Sequence, residues 1–235
     1  MTPKRWLLLA AVPLAAALGY AGYLWVELRG SRGDLVRLAA ELGVRPGLAV
    51  AEIGAGRGAW TVEVARMVGD SGHVYSTELD PARLERIREA VAGAGLSNVE
   101  VIAGAAGATN LPAGCCDAVF MRTVYHHFTL PHAMNRDLHR ALREGGTLAV
   151  VDFEPTGAWM QRFRLFRAPG SVPAARGGHG ILARIVEEEL RAAGFVTGRT
   201  VPRWSRGLFL VTAHKPSASA GASGTGTVRT SHLMQ

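Results

Sequence analysis

Ala49-Val50-Ala51-Glu52-Ile53-Gly54-Ala55-Gly56-Arg57-Gly58-Ala59-Trp60 is the stretch that decides the fold. Its apolar start reads as a short buried strand, and its second half as a glycine-rich turn leading into a helix. Glycines at alternate positions let the main chain turn tightly and lie bare against a ligand. Free N–H groups at the start of the next helix would favour an anionic group such as a carboxylate or phosphate. Glu52 stands two places before the first glycine, near the carboxyl end of the strand.

A second acidic pair, Glu78 and Asp80, follows the next apolar run, Val74-Tyr75-Ser76-Thr77. An acidic side chain after the second strand takes the ribose hydroxyls in nucleoside-binding α/β domains. Gly54, Gly56 and Ala59 satisfy the loose G-x-G-x-x-G/A dinucleotide pattern, a weak signal by itself. Glu52, Gly54, Gly56 and Gly58 satisfy the stricter E-x-G-x-G-x-G.

Outward from the loop, the chain alternates strands and helices. Leu35, Leu38, Ala39 and Leu42 recur at helical spacing before the first strand. Helices are expected over Trp60–Val68, Pro81–Ala92, Leu130–Leu142 and Ile181–Ala193. Strands are expected over His73–Thr77, Asn98–Ala103, Asp117–Met121 and Thr147–Asp152, and as a terminal antiparallel pair over Phe195–Thr200 and Leu208–Ala213. This order implies a doubly wound, mostly parallel α/β sheet covered on both faces. Arg83, Arg86 and Arg88 fall on the solvated side of their helix.

The 235 residues support one domain with a proper core plus short extras. The division expected is an N-terminal segment over 1–30, a domain over 31–215 and a disordered tail over 216–235, rich in Ser, Gly, Ala and Thr. Arginine supplies 24 of the 26 basic residues behind the net charge of +7. That balance permits contact with an anionic membrane surface or nucleic acid and identifies neither. No compact basic stripe with stacking aromatics stands out, so no nucleic-acid partner is expected. Cys115 and Cys116 are the only cysteines; they read as unbridged residues of an exposed loop, with no disulfide framework and no metal site.

Trp6 to Val26 is a run of 21 residues without a charge. As a helix it would be about 31 Å long, enough for a bilayer core of about 30 Å. Trp6 at one end and Tyr20, Tyr23 and Trp25 at the other suit the two interfaces. The run reads as an uncleaved membrane anchor over residues 6–26, with a cleaved export signal as the alternative.

Further matches lie beyond the glycine loop. They are Val74 to Pro81, Leu111-Pro112-Ala113-Gly114 leading into Asp117-Ala118-Val119-Phe120, Leu142-Arg143-Glu144-Gly145-Gly146-Thr147-Leu148, and Ala193-Gly194-Phe195. With E-x-G-x-G-x-G, they make residues 31–215 resemble the class I S-adenosylmethionine-dependent methyltransferases. The resemblance implies a Rossmann-like methyltransferase fold and S-adenosylmethionine as cofactor. It places Glu52, Gly54, Ala55, Gly56, Gly58, Glu78, Leu79, Ala105, Ala106 and Thr123 around that cofactor, with Glu78 on the ribose. After the third strand this family commonly carries an acid that meets the adenine amine; here Gly104-Ala105-Ala106 has none.

Methyl transfer is an in-line displacement that depends on positioning, and a base is needed only when the acceptor must lose a proton. Tyr125, His126 and His127, just past the fourth strand, are the candidates, because ligands of open α/β folds bind at that end of the sheet. His179 is a second histidine candidate. Asp152 would orient a substrate or cap a turn, and Trp159 to Arg167 would form a lid or rest on lipid. The expected acceptor is a small or lipophilic molecule, with the domain on the cytoplasmic side. A nicotinamide-dependent oxidoreductase and a non-catalytic membrane-tethered binding module are the alternatives. Oligomeric state is left open.

Overall fold

The computed structural model describes residues 31–155 and 180–217. The expected anchor, His179, the Trp159–Arg167 segment and all but the first residues of the expected tail lie outside them. Among the described residues, no helix is long and apolar enough to cross a membrane.

The chain divides into two compact units, Met1–Glu41 and Leu42–Gln235. In the first, helix α1 spans 31–41. The second runs β1 (Ala49–Ile53), α2 (Ala59–Val68), β2 (His73–Glu78), α3 (Pro81–Gly93), β3 (Val99–Ala103), β4 (Cys116–Arg122), α4 (Pro131–Ala141), β5 (Leu142–Phe153), α5 (Ala183–Ala192), β6 (Val196–Ser205) and β7 (Leu208–His214). A single 3-10 turn, Tyr125–His127, lies between β4 and α4.

The strands form one seven-stranded sheet in the order β3-β2-β1-β4-β5-β7-β6. β3, β2, β1, β4 and β5 are parallel neighbours, and β7 runs antiparallel between β5 and β6. This is the expected doubly wound sheet with its antiparallel terminal pair. The central strands are apolar on both faces: Ala118, Val119 and Met121 of β4 and Leu148 to Val151 of β5 are fully buried. Such runs are the mark of a sheet covered on both sides.

Most expected boundaries hold within a few residues. β5 is the exception, because it takes in the turn at Arg143–Gly146: Leu142 pairs with Cys116, and Gly145 and Gly146 exchange hydrogen bonds with Lys215. Arg83, Arg86 and Arg88 are exposed, as their spacing predicts. The cysteines depart from expectation. Cys116 opens β4 and is fully buried, Cys115 is 9% exposed, and their sulfurs are bonded as a vicinal disulfide. Strand pairing, rather than loop composition, sets the burial of Cys116.

The chain leaves β3 at one edge and re-enters the sheet at β4, beside β1. That reversal brings the carboxyl ends of β1 and β4 side by side, the place where open α/β sheets bind ligands.

Candidate active site

β1 ends at Ile53, and the glycine loop crosses toward β2. The N–H groups of Gly54 and Ala55 both donate to the Thr77 carbonyl, at 2.9 and 3.0 Å, and Gly58 N–H donates to the Ala55 carbonyl at 3.0 Å. Gly56 N–H donates to Glu78 Oε2 at 3.0 Å. The donors of Gly54, Ala55, Gly56 and Gly58 are thus satisfied within the protein, and the N–H groups expected to favour an anion are those that follow, at the start of α2.

Glycine is required at these positions for different reasons. Gly54 has φ +70°, and a Cβ there would stand 2.6 Å from Val124 Cγ2. Gly58, at φ +78°, would put a Cβ 3.2 Å from the Ile87 backbone. A Cβ on Gly56 would meet nothing within 4 Å. The first two let β1 and α2 close on their neighbours, while Gly56 faces open space.

Glu78 ends β2 and is nearly buried. Besides Gly56, its carboxylate accepts Leu79 N–H at 2.8 Å, and the Arg83 guanidinium lies 3.7 Å away. Leu79 beside it is 60% exposed. It reaches toward the turn after β3, where Gly104 N–H donates to the Glu78 carbonyl and Ala105 N–H to the Ala108 carbonyl. Ala105 and Ala106 are exposed on that turn. An open apolar surface thus lies beside a carboxylate.

Glu52 points elsewhere. It is buried, and the Thr61 hydroxyl donates to its Oε2 at 2.6 Å, with Ser76 Oγ 2.9 Å from Thr61 Oγ1. Burial, with a smaller push from the Glu78 charge, raises its pKa to about 8. It is therefore mainly protonated at neutral pH, and joins β1, α2 and β2 beneath the loop.

Beyond β4, Thr123 adopts a left-handed φ of 53°. That is an uncommon conformation for a β-branched residue, costing on the order of 1–3 kcal/mol. Its N–H bonds the Val151 carbonyl at 2.8 Å and its hydroxyl the Arg122 carbonyl at 2.7 Å. The reversal seats Val124 on Gly54 and starts the histidine turn. The three candidate side chains of that turn then part. The Tyr125 hydroxyl is buried, donating to Glu189 Oε2 at 2.8 Å and accepting from Asn135 Nδ2 at 2.7 Å. His126 is buried on Asp152: Nδ1 lies 2.8 Å from Oδ1, and its backbone N–H donates to Oδ2 at 3.0 Å. His127 is exposed, its ring 4.0 Å from that of His126.

Sequence reasoning did not find the bond between Asp152 and His126, nor the place of Arg122. The order of parallel strands held the signal for the first. Arg122 pairs with Val151 in the β4–β5 register, which sets Asp152 beside the residues that follow β4. Arg122 lies at the end of β4 with its guanidinium carbon 5.2 Å from the centre of the Trp60 ring. Nothing in the local sequence marks that approach. No group of His, Cys, Asp and Glu suited to a metal ion occurs among the described residues.

The model of the methyltransferase domain family matches residues 50–146, from β1 through the turn before the long part of β5. The ubiquinone/menaquinone biosynthesis C-methyltransferase of an Enterobacter species is 31% identical over 112 residues, covering 47% of this chain and 45% of the relative. The chain thus spans about half the length of the curated relatives it matches. Among solved structures, a SAM-dependent methyltransferase from Aquifex aeolicus is 26% identical with a TM-score of 0.62, covering 77% of this chain and 88% of its own. Phospholethanolamine N-methyltransferase 2 of Haemonchus contortus, solved with phosphomonomethylethanolamine and S-adenosylhomocysteine, has a TM-score of 0.62 at 16% identity. It covers 79% of this chain and 53% of its own, and it shares the fold.

Proposed function

We propose, from the premise that residues 50–146 carry a methyltransferase domain within the class I S-adenosylmethionine-dependent methyltransferase fold, that this chain transfers a methyl group from S-adenosylmethionine to a small, lipophilic acceptor. One observation carries the reading: the Glu78 carboxylate at the end of β2 clamps Gly56 of a glycine loop whose Gly54, Ala55 and Gly58 donors are turned inward. Such a cradle suits a nucleoside and leaves little for the pyrophosphate of a nicotinamide dinucleotide.

The residues divide the work as follows. Glu78 takes the ribose hydroxyls while keeping the loop in place. Leu79 and the turn at Ala105 and Ala106 flank the adenine, offering backbone where an acid is absent. Gly54, Ala55, Gly56 and Gly58 give close approach to bare main chain, and Glu52 braces the loop from below. Thr123 turns the chain at the end of β4 so that the histidines follow the cofactor site. When bound, S-adenosylmethionine supplies a sulfonium methyl that is open to in-line displacement.

His127, the exposed member of the pair, is the residue proposed to accept a proton from the acceptor atom. Asp152 holds His126 by side chain and backbone together, and Tyr125 ties the same turn to α4 and α5. His126 and Tyr125 are thus positioning residues. Holding reactants in an attack geometry is the larger part of such catalysis.

The lipophilic acceptor is supported by the uncharged run from Trp6 to Val26 and by relatives named for quinone biosynthesis. Residues 6–26 are proposed to attach the protein to the membrane, with residues 31–215 on the cytoplasmic side, where the cofactor is made. Recovery of a chain shortened at its N-terminus from outside the cytoplasm would replace the anchor with an export signal. To test the function, full-length protein in lipid vesicles is given S-adenosylmethionine with a lipophilic phenol or quinol, and separately with polar amines. Methyl transfer to the lipophilic set supports the reading. Transfer confined to polar acceptors would overturn the acceptor class.

A further inference from the structure

We propose that Arg122 is the receptor for the amino-acid carboxylate of the cofactor, an inference that rests on the S-adenosylmethionine reading above. The carboxylate of the methionine portion carries a full negative charge and needs a partner when it leaves water. Four backbone donors of the loop are committed: Gly54, Ala55, Gly56 and Gly58 bond to Thr77, Glu78 and Ala55. A cation beside the loop would supply what these four donors do not.

Arg122 supplies it from the neighbouring strand. It is the last residue of β4, which lies beside β1 and hence beside the loop that β1 feeds. Its guanidinium rests 5.2 Å from the ring centre of Trp60, in the first turn of α2, immediately after the loop. Trp60 itself is held against Phe120 of β4, with ring centroids 6.0 Å apart. The aromatic ring orients the cation without neutralising it.

Arg66, Arg83, Arg88, Arg140, Arg143, Arg184 and Arg191 each face a carboxylate within 4 Å. Arg122 has no such carboxylate among the described residues, and its Nε is shielded from solvent without a hydrogen-bond acceptor. Among the described residues Arg45, Arg57, Arg86, Arg136 and Arg203 also lack a carboxylate partner, and the shielded Nε is what sets Arg122 apart from them. A half-buried guanidinium with a shielded donor, at the sheet end where the two loops meet, is built to receive an anion. Planar carboxylates are what guanidinium binds best, through paired hydrogen bonds.

The test compares two ligands on the full-length protein by calorimetry. S-adenosylhomocysteine carries the carboxylate; 5′-methylthioadenosine keeps the nucleoside and lacks the amino-acid portion. In Arg122→Met and Arg122→Gln, affinity for S-adenosylhomocysteine should fall roughly 10- to 100-fold, as for loss of a charge-assisted bond. Affinity for 5′-methylthioadenosine should stay within about twofold, and that retained binding shows that the site is still folded. Arg122→Lys should fall between the variants and the parent for the first ligand. Unchanged S-adenosylhomocysteine binding in the variants, or an equal loss for both ligands in all three, overturns the assignment while leaving the cofactor reading intact. A parent protein that binds neither ligand would instead overturn the cofactor reading and this assignment together.

Discussion

Glu78 Oε2 accepts the backbone N–H of Gly56 at 3.0 Å, so the acid that ends β2 also fixes the loop that leaves β1. Two features that stand 22 residues apart in the sequence thus form one element of the site. A ligand bound to Glu78 and the conformation of the glycine loop are coupled through a single carboxylate.

Glu78→Gln tests that coupling. The amide keeps one acceptor but loses the charge, the second acceptor and the ion pair with Arg83. Affinity for S-adenosylhomocysteine should fall about 10- to 100-fold, the size of a charge-assisted bond, with the fold retained. Calorimetry with thermal unfolding in parallel measures both. Unaltered affinity would remove Glu78 from the ribose site.

Gly54→Ala would place a methyl group 2.6 Å from Val124 Cγ2, at a φ of +70°. Destabilisation of about 1–3 kcal/mol is expected, from clash and backbone strain together. Adding Val124→Ala removes the obstructing methyl groups and should restore part of the loss, leaving the strain. Denaturant unfolding of both single variants and the double variant measures this. Strict additivity would show that the contact has no part in the glycine requirement.

Stability should depend on pH through Glu52. Burial raises its folded pKa from 4.5 to about 8, so between those values the folded state holds the proton more often than the unfolded state. Stability should therefore fall as pH rises through this window, by at most about 1.4 kcal/mol per pH unit. The contribution is fully present below pH 4.5 and lost above 8. Glu52→Gln should flatten the curve and gain most over the parent near pH 8. Parallel curves for parent and variant would mean that Glu52 does not titrate in this range.

The histidines should separate by assay. His127→Ala should lower kcat by about 10²- to 10⁴-fold, as for loss of a general base, with cofactor affinity and melting temperature nearly unchanged. Asp152→Ala removes both hydrogen bonds that Asp152 makes to the buried His126, at its ring and at its backbone N–H. It should cost roughly 1–3 kcal/mol of stability. Steady-state kinetics and thermal melts distinguish the two outcomes. A large loss of stability in His127→Ala would place that residue in the framework instead of at the reacting atom.

The fold was legible because its signals are local and repeated. The strands between Ala49 and Asp152 are built around short apolar runs, and glycines at Gly54, Gly56 and Gly58 mark the one turn among the described residues that needs positive φ three times in five residues. Glu78 was legible for the same reason: it stands at a fixed place, the end of the second strand. The direction of Glu52 was hidden, because a carboxyl at the end of a strand reads the same whether it meets a ligand or Thr61. The pairing of His126 with Asp152 and the approach of Arg122 to Trp60 depend on which strands become neighbours. Burial of Cys116 was likewise set by pairing with β5, against the composition of the surrounding loop.

Calorimetric titration of the full-length protein with S-adenosylmethionine, S-adenosylhomocysteine and NADH tests the central claim most directly. The first two should bind in the micromolar range, and NADH should not bind. Binding of NADH alone would contradict the methyltransferase reading, and a folded protein that binds none of the three would point to a tethered, non-catalytic module.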